Sequence, residues 1–493
     1  MIYFIGVDVG TSATKSVLFD ENGSVIASDS QSYELKQPYN GWAQQNPIDW
    51  KNAAIKTIKE ISSKVDAESI RAVGVSGQMH GLVVLDQIGD VLYDSIIWCD
   101  QRTQKEVDKV ISVLGKQKYI DLTLNAPNTS FTLFKLLWLR DNEPDIFSKV
   151  RKVLLPKDYV NFVLTGKYAT DVSDASGTGY FDVKNRKWSG EILKTFDIEE
   201  EFLPNVYESS QVIGNITEDI ARQTGLSANT VVVAGAGDQA AAAVGNGVIK
   251  PGCTSVSLGT SGVVFTAVDK PVYDKLARTH TFCHAVKDMW HIMGVTQGCG
   301  LSVNWFKKNF ADEYSYQELE ENSRETSSDG IIYLPYLMGE RTPHLDPDCR
   351  GSFTGISSNH NLFNFYKAVL EGVCFSLKDC CQVILEAGID LNMVKVGGGG
   401  AKSNLWLQIL ADVLMKNLYV SQCLESGALG VAILASIGSG CYNSVEEASE
   451  KMTDRNFAIT RFNPEKINYY NSIYSVYKNL YFAVKSVRGC KNE

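Results

Sequence analysis

Long apolar runs, a surplus of basic residues and metal-spaced cysteines are all missing from this 493-residue chain. No stretch reaches the ~18 uninterrupted apolar residues that a membrane-crossing helix needs, so no span is expected. Met1-Ile2-Tyr3-Phe4-Ile5-Gly6-Val7-Asp8 has no basic start, and its apolar run is too short for a secretion signal. Lys and Arg total 47 against 57 Asp and Glu, a net charge of −10. That balance argues against a nucleic-acid partner, whose phosphates call for cationic excess. The 11 cysteines are scattered, with no Cys-x-x-Cys and no histidine at zinc-like spacing. An odd count in such a chain reads as reduced thiols in a cytoplasm, most of them buried as small hydrophobes. No low-complexity tract or charge block interrupts the sequence.

What is present is the composition of a soluble globular protein, 44% hydrophobic and 21% charged. The length exceeds what one core can organise and predicts two large domains, which we place at 1–245 and 246–493. Residues 2–9, 14–20 and 24–33 have strand patterning, with Glu21-Asn22-Gly23 as a hairpin turn. Asn46 and Pro47 carry N-cap and first-turn chemistry, followed by Trp50, Ala54, Ile58 and Ile61 on one helical face. Residues 70–75 and 231–234 read as strands, and a helix of tiny residues, Ala240 to Val244, leads into Gly245-Asn246-Gly247 at the crossing. The expected class is α/β: two lobes, each a mixed sheet flanked by helices, facing one another across a cleft.

Within this plan one turn occurs twice. Val7-Asp8-Val9-Gly10-Thr11-Ser12 returns as Val256-Ser257-Leu258-Gly259-Thr260-Ser261, each time between two β-patterned runs. Such a turn grasps phosphate: glycine permits unusual backbone, adjacent N–H groups can face an anion, and Thr and Ser add hydroxyl donors. Gly-Thr-Ser is also ordinary hairpin chemistry, but the repetition in matching contexts favours a nucleotide site. The copies differ where Asp8 becomes Ser257. A carboxylate beside one loop alone suggests that Asp8 holds a hydrated cation while the second loop touches only phosphate.

Three further stretches can carry chemistry. Asp238 follows an apolar strand and sits between glycine and alanines, where a substrate can approach closely. It reads either as a general base for an attacking hydroxyl or as the N-cap of the helix that follows. Gly77-Gln78-Met79-His80-Gly81 places hydrogen-bonding side chains and a thioether between mobile glycines, suiting a small polyhydroxy compound; a loop histidine bonded to water is the alternative. Gly397 to Gly400 is expected to open a helix at Ala401 and to let a flat ligand lie on bare backbone. These glycines have neither Walker spacing nor a Gly-x-Gly-x-x-Gly pattern, which disfavours P-loop and dinucleotide-binding readings.

Taken in order, Asp8 to Ser12, Trp42-Ala43-Gln44-Gln45-Asn46-Pro47, Gly77 to Gly81, Pro156-Lys157-Asp158-Tyr159, Gly237-Asp238-Gln239, Ser257 to Gly262, Leu334-Pro335-Tyr336, Gly339-Glu340-Arg341-Thr342-Pro343 and Gly398 to Ala401 resemble the FGGY carbohydrate kinases over essentially the whole chain. The resemblance implies an actin-like ATPase fold of two ribonuclease-H-like lobes, with ATP and sugar on opposite sides of the cleft. It implies Asp238 as catalytic base and Asp8 as support for Mg²⁺ and the phosphates. Met79 and His80 match a sugar-binding pair, and Gln239 stands where the family places another sugar contact, often as Asn. Thr11 and Ser12 would grip phosphate, and Thr260, Gly300, Gly400 and Asn404 match positions that line the nucleotide. The expected reaction is ATP-dependent phosphorylation of a terminal hydroxyl of a ketopentose, D-xylulose. Rivals are a kinase for another polyol or sugar acid, such as ribulose or gluconate, and a non-catalytic ATP-switched scaffold of the same fold. Sugar and ATP are the expected partners, with a homodimer as the assembly carried forward.

Overall fold

The computed structural model describes residues 1–420, 425–453 and 457–489. Three antiparallel strands open it: β1 (Tyr3–Val9), β2 (Ala13–Asp20) and β3 (Val25–Ser32). The β2–β3 turn is held by the Asp20 carboxylate, which accepts from the Asn22 and Ser24 amides, while Gly23 takes φ +81°. Helix α1 (Pro47–Ser62) starts where the Asn46 side chain accepts from the Ile48 amide, and it buries Trp50, Ala54, Ile58 and Ile61 against the sheet. This helix is the crossover that lets β4 (Ile70–Gly77) lie parallel to β1, with Ser76 opposite Asp8 and Gly77 opposite Val9.

After helix α2 (Pro156–Thr165), strands β5 (Val212–Asn215) and β6 (Val231–Val233) extend the sheet beyond β4. The chain then kinks at Gly235, φ +77°, where a Cβ would lie 1.9 Å from the Val75 carbonyl oxygen. It rejoins β4 as β7 (Ala236–Gly237), pairing with Ser76 and Gly77, so helix α3 (Asp238–Gly245) begins beside the carboxyl ends of β1 and β4. The order across the sheet is β5-β6-β4-β1-β2-β3, with β7 paired to β4.

The second half repeats this plan. Strands β8 (Cys253–Leu258), β9 (Gly262–Val268), β10 (His280–Cys283) and β11 (Trp290–Thr296) precede helices α4 (Gly300–Phe310) and α5 (Leu362–Glu386). Strand β12 (Met393–Gly397) then lies parallel to β8, with Gly397 opposite Ser257 as Ser76 stands opposite Asp8. Helix α6 (Asn404–Leu414), strand β13 (Leu418–Val420), helix α7 (Ser426–Gly438), strand β14 (Ala458–Thr460) and helix α8 (Ile467–Gly489) follow. The second sheet runs β10-β11-β9-β8-β12-β13-β14.

Helix α7 belongs to the second half by sequence but packs on the first sheet. Cβ atoms at Gly6 and Gly74 would fall 1.9 Å and 2.2 Å from the carbonyl oxygens of Ala428 and Val431. Across the α3–α7 crossing, Cβ atoms at Gly245 and Gly430 would fall 2.0 Å and 1.8 Å from those of Ser426 and Ala241. Bare glycine backbone therefore draws α7 onto β1, β4 and α3, bringing its first turn to Asp8. We retain the division near 245/246 as our proposal, with α7 reaching back across it.

Candidate active site

Asp8, Asp238 and Gln239 line one cavity of about 220 Å³, closed on the other side by Glu425, Ser426, Gly427 and Ala428. The Ser76 hydroxyl donates to Asp8 Oδ1 at 3.0 Å, and Lys15, opposite Asp8 in the β1–β2 register, pairs with Glu425. Burial raises the Asp8 pKa, the Ser76 bond opposes that shift, and the Glu425 carboxylate adds to it. Burial likewise lifts Asp238, to about 6, with the Asp8 charge reinforcing it. A carboxylate so poised is ionised at neutral pH yet accepts a proton readily. Gly237 occupies the N-cap position and Asp238 is the first helical residue, so the N-cap reading of Asp238 gives way. Its Oδ1 accepts the neighbouring Gln239 amide at 2.7 Å, and the Gln239 bonds partly oppose the upward shift.

Met79 lies against Gly237: a Cβ there would sit 2.9 Å from the Met79 Cγ and 3.0 Å from its sulfur. Next to it, His80 takes φ +70°, a left-handed conformation uncommon outside glycine. Its carbonyl is pinned by Thr132 Oγ1 at 3.1 Å and by the buried Lys135 Nζ at 2.8 Å. The His80 Nδ1 meets the Gly177 carbonyl at 2.7 Å; a carbonyl only accepts, so Nδ1 carries the proton and Nε2 is the acceptor. Burial, aided by Lys135, depresses the imidazole to about 3, so it is neutral and its Nε2 can receive a hydroxyl proton. The glycines around it allow close packing. A Cβ at Gly81 would strike Pro156 at 2.5 Å and one at Gly77 would lie 3.0 Å from Lys157 Cβ, so both permit packing and the turn is made by His80 itself.

The first Gly-Thr-Ser turn is knitted to this loop. Thr11 Oγ1 donates to Gln78 Oε1 at 3.3 Å and receives the Trp98 indole N–H at 3.0 Å. Gln45 Nε2 donates to the Thr11 carbonyl at 2.7 Å, and Gln78 Nε2 to Gln45 Oε1 at 2.8 Å, which explains the Trp42 to Pro47 motif at a distance from the turn. Ser12 is exposed. Neither Gly10 nor Gly259 has positive φ, so the turns do not need glycine for an unusual backbone conformation. Their Cβ atoms would lie 3.2 Å and 3.3 Å from the Ala13 and Ser261 carbonyl oxygens, so close backbone approach within the turn is what disfavours larger residues.

On the second lobe, Gly300 N–H donates to the Gly259 carbonyl at 2.8 Å and Leu301 N–H to that of Thr260 at 3.0 Å, which seats the start of α4 on the second turn. A Cβ at Gly400 would meet Leu258 Cβ at 2.8 Å, placing that glycine beside the same turn. The four-glycine loop does not enter a helix at Ala401. It forms a 3₁₀ turn over Gly399–Lys402, and α6 starts at Asn404 because Ser403 caps it by accepting from the Trp406 amide. Asn404, exposed at that N-terminus, opens on a cavity of about 540 Å³ lined by Lys367, Glu371 and Tyr470 among others. The structure thus gathers the sequence-derived residues into two groups: Asp8, Thr11, Met79, His80, Asp238 and Gln239 on one side, and Thr260, Gly300, Gly400 and Asn404 on the other.

Sequence reasoning missed Glu425 and Lys15, whose pairing spans more than 400 positions and leaves no local signal. It also assigned no role to Arg341, although the motif Gly339 to Pro343 was recognised. The half-buried Arg341 guanidinium donates to His280 Nε2 at 2.6 Å, and its charge reaches His80. Among the described residues no group of three or more His, Cys, Asp or Glu could hold a metal ion. Asp8 fits instead the way Mg²⁺ is usually held, by one or two carboxylates, waters and substrate phosphates. No helix of the described residues is long and apolar enough to cross a membrane.

Two sheets on one strand plan, each carrying a glycine-rich turn, with Asp8 and Asp238 sharing one cavity, define a two-lobed α/β fold. Residues 3–245 match the N-terminal domain and residues 254–439 the C-terminal domain of the FGGY family of carbohydrate kinases, and the chain belongs to that family. It is 38% identical to a xylulose kinase of Bacillus subtilis over 491 residues, covering 99% of this chain and 98% of that protein. A ligand-bound xylulose kinase from Lactobacillus acidophilus superposes with a TM-score of 0.94 at 29% identity, covering 99% of each chain. A gluconate kinase from the same organism gives 0.93 at 30% identity over 98% of each. The chain is therefore a carbohydrate kinase, and the ATP-switched scaffold has no support.

Proposed function

We propose that this kinase transfers the terminal phosphoryl group of ATP to a terminal hydroxyl of D-xylulose, with Asp238 as general base. The observation that carries this reading is the carboxylate at the lobe junction, raised to about 6 and bordered by Met79 and Gln239. The relatives named xylulose kinase support the choice of sugar.

In this mechanism neutral His80 accepts a sugar hydroxyl at Nε2, Met79 covers the apolar side of the sugar, and Gln239 supplies a further polar contact. Asp238 orients the attacking hydroxyl and takes its proton as the oxygen bonds to phosphorus. Thr11 and Ser12 on one lobe and the Gly259 to Ser261 turn, with Thr260, on the other grip the phosphates, while Gly300 lines the nucleotide. The nucleotide extends past Gly400 and Asn404 toward the 540 Å³ cavity. Mg²⁺, when bound, would neutralise the transferring phosphates, and Asp8 would hold it. Lobe closure would exclude water, the competing acceptor. The nine described cysteines are all unpaired and six are buried, which supports a reducing, cytoplasmic setting.

A sugar acid such as gluconate is the second reading. It is favoured by the gluconate kinase neighbour and by Arg341, a half-buried cation near His80 held by neutral His280. Sugar-dependent ADP formation measured across ketoses, polyols and sugar acids tests both readings. D-xylulose should give the highest kcat/KM, and preference for gluconate would replace the first reading with the second.

A further inference from the structure

Beneath the start of α3 lies an ionic cluster that the mechanism does not use. Lys157, Asp158, Asp171 and Asp174 have fully buried side chains, and Lys157 Nζ lies 2.5, 2.9 and 3.7 Å from the three carboxylates in turn. The two acids Asp171 and Asp174 flank Ser173 on a short segment, and Asp171 Oδ2 accepts from the Ser173 amide at 2.8 Å, the Ser173 hydroxyl at 2.5 Å and the Ser209 hydroxyl at 2.8 Å. The Ser173 oxygen in turn receives the Gly237 amide at 3.1 Å. Gly237 is the residue immediately before Asp238.

We infer that Ser173 is a positioning residue for Asp238: its hydroxyl takes the Gly237 amide and gives its own proton to Asp171, which the buried Lys157 anchors. The inference rests on Asp238 being the base. A core does not need such a cluster, because well-packed apolar side chains hold a fold at least as well as buried ion pairs. What the cluster adds is direction. Gly237 brings no side chain to fix its own orientation, so the backbone entering Asp238 is set by its pairing with Gly77 and by this one hydroxyl. Lys157 also backs Gly77 itself, with its Cβ 3.0 Å from where a Gly77 Cβ would lie. One buried lysine therefore braces both strand ends that frame the base. Displacement of a reacting group by ~1 Å is enough to cost about 10²-fold in rate.

Ser173→Ala and Ser209→Ala separate this role from general stability, since each removes one hydroxyl from Asp171 but only the first touches Gly237. In the full chain, Ser173→Ala should lower kcat about tenfold with the KM for sugar and for ATP within about twofold, and Ser173→Thr should restore it. Ser209→Ala should lose comparable thermal stability with kcat within about threefold of wild type. Equal kcat losses in the two alanine variants would overturn the inference, as would a Ser173→Ala loss confined to KM. In an Asp238→Asn background the Ser173→Ala effect should vanish; full additivity there would also overturn it. If Asp238→Asn alone left turnover near wild type, the base reading itself would fail, a result distinct from the others. A Ser173→Ala chain that did not fold would be replaced by Ser173→Cys, which keeps a weaker acceptor and should show an intermediate kcat.

Discussion

Removing the Asp238 carboxylate perturbs activity and stability in opposite directions, and both follow from the same burial. Asp238 shares a cavity with Asp8, and its pKa is raised from 3.8 to about 6. It accepts a proton only when ionised, so kcat/KM should fall as pH drops through about 6. Between pH ~7 and ~5 the ionised fraction, and with it kcat/KM, falls roughly tenfold. In Asp238→Ala a positioned base is lost, and turnover should fall by about 10² to 10⁴, or roughly 3 to 5 kcal/mol of transition-state stabilisation. The residual rate should no longer show the acid limb near pH 6, and calorimetry should still find sugar binding. Stability moves the other way. A carboxylate whose folded pKa is raised contributes stability below its unfolded pKa, and that contribution is lost as pH rises through the folded value. Asp238→Asn should therefore be more stable than wild type at pH ~8 by about 1 to 3 kcal/mol in urea unfolding. Wild-type-like turnover in Asp238→Ala with the acid limb intact would refute the reasoning.

Three other outcomes follow from individual side chains. Asp8→Asn should slow turnover by about 10²-fold and raise the Mg²⁺ concentration needed for half-maximal rate; an unchanged magnesium titration would remove Asp8 from the metal. Loss of the neutral acceptor in His80→Ala should weaken sugar binding by about 1 to 3 kcal/mol while ATP binding is kept, and calorimetry showing equal losses would place His80 elsewhere. Asp379, buried under Tyr474, whose hydroxyl donates to it at 2.6 Å, has its pKa pushed up to about 7. Its contribution to stability is complete below pH ~4 and is lost as pH rises through about 7, so Asp379→Asn should be more stable than wild type at pH ~8 by up to roughly 4 kcal/mol, and identical pH–stability curves would contradict this.

The residues legible in the sequence are those whose signals are local. The Asn46–Pro47 cap, the Asp20–Gly23 turn and the apolar face of α1 depend on neighbours within a few positions, and they stand as the spacing predicts. The repeated turn revealed two equivalent hairpins because each is a strand–turn–strand unit complete in itself. Contacts made across the fold were not legible. Glycines at 6, 74, 245 and 430 look like ordinary interruptions until α7 is seen lying against their bare backbone. His80 adopts its left-handed turn because Thr132, Lys135 and Gly177 hold it, residues tens of positions away. The expected helix at Ala401 failed for a local reason that was overlooked: Ser403 is a better cap than any glycine before it. In the site, Asp8 and Asp238 could be suspected singly, but their shared cavity with Glu425 appears only when α7 closes it.

The central claim is that catalysis here is phosphorylation of a ketopentose driven from the lobe junction. It is tested most directly by incubating the full chain with Mg²⁺, ATP and D-xylulose and following ADP together with the sugar product by mass. ADP formation should require the sugar and should match, mole for mole, a pentulose monophosphate. ADP release at the same rate without sugar, or product formed from gluconate in preference to D-xylulose, would contradict the account.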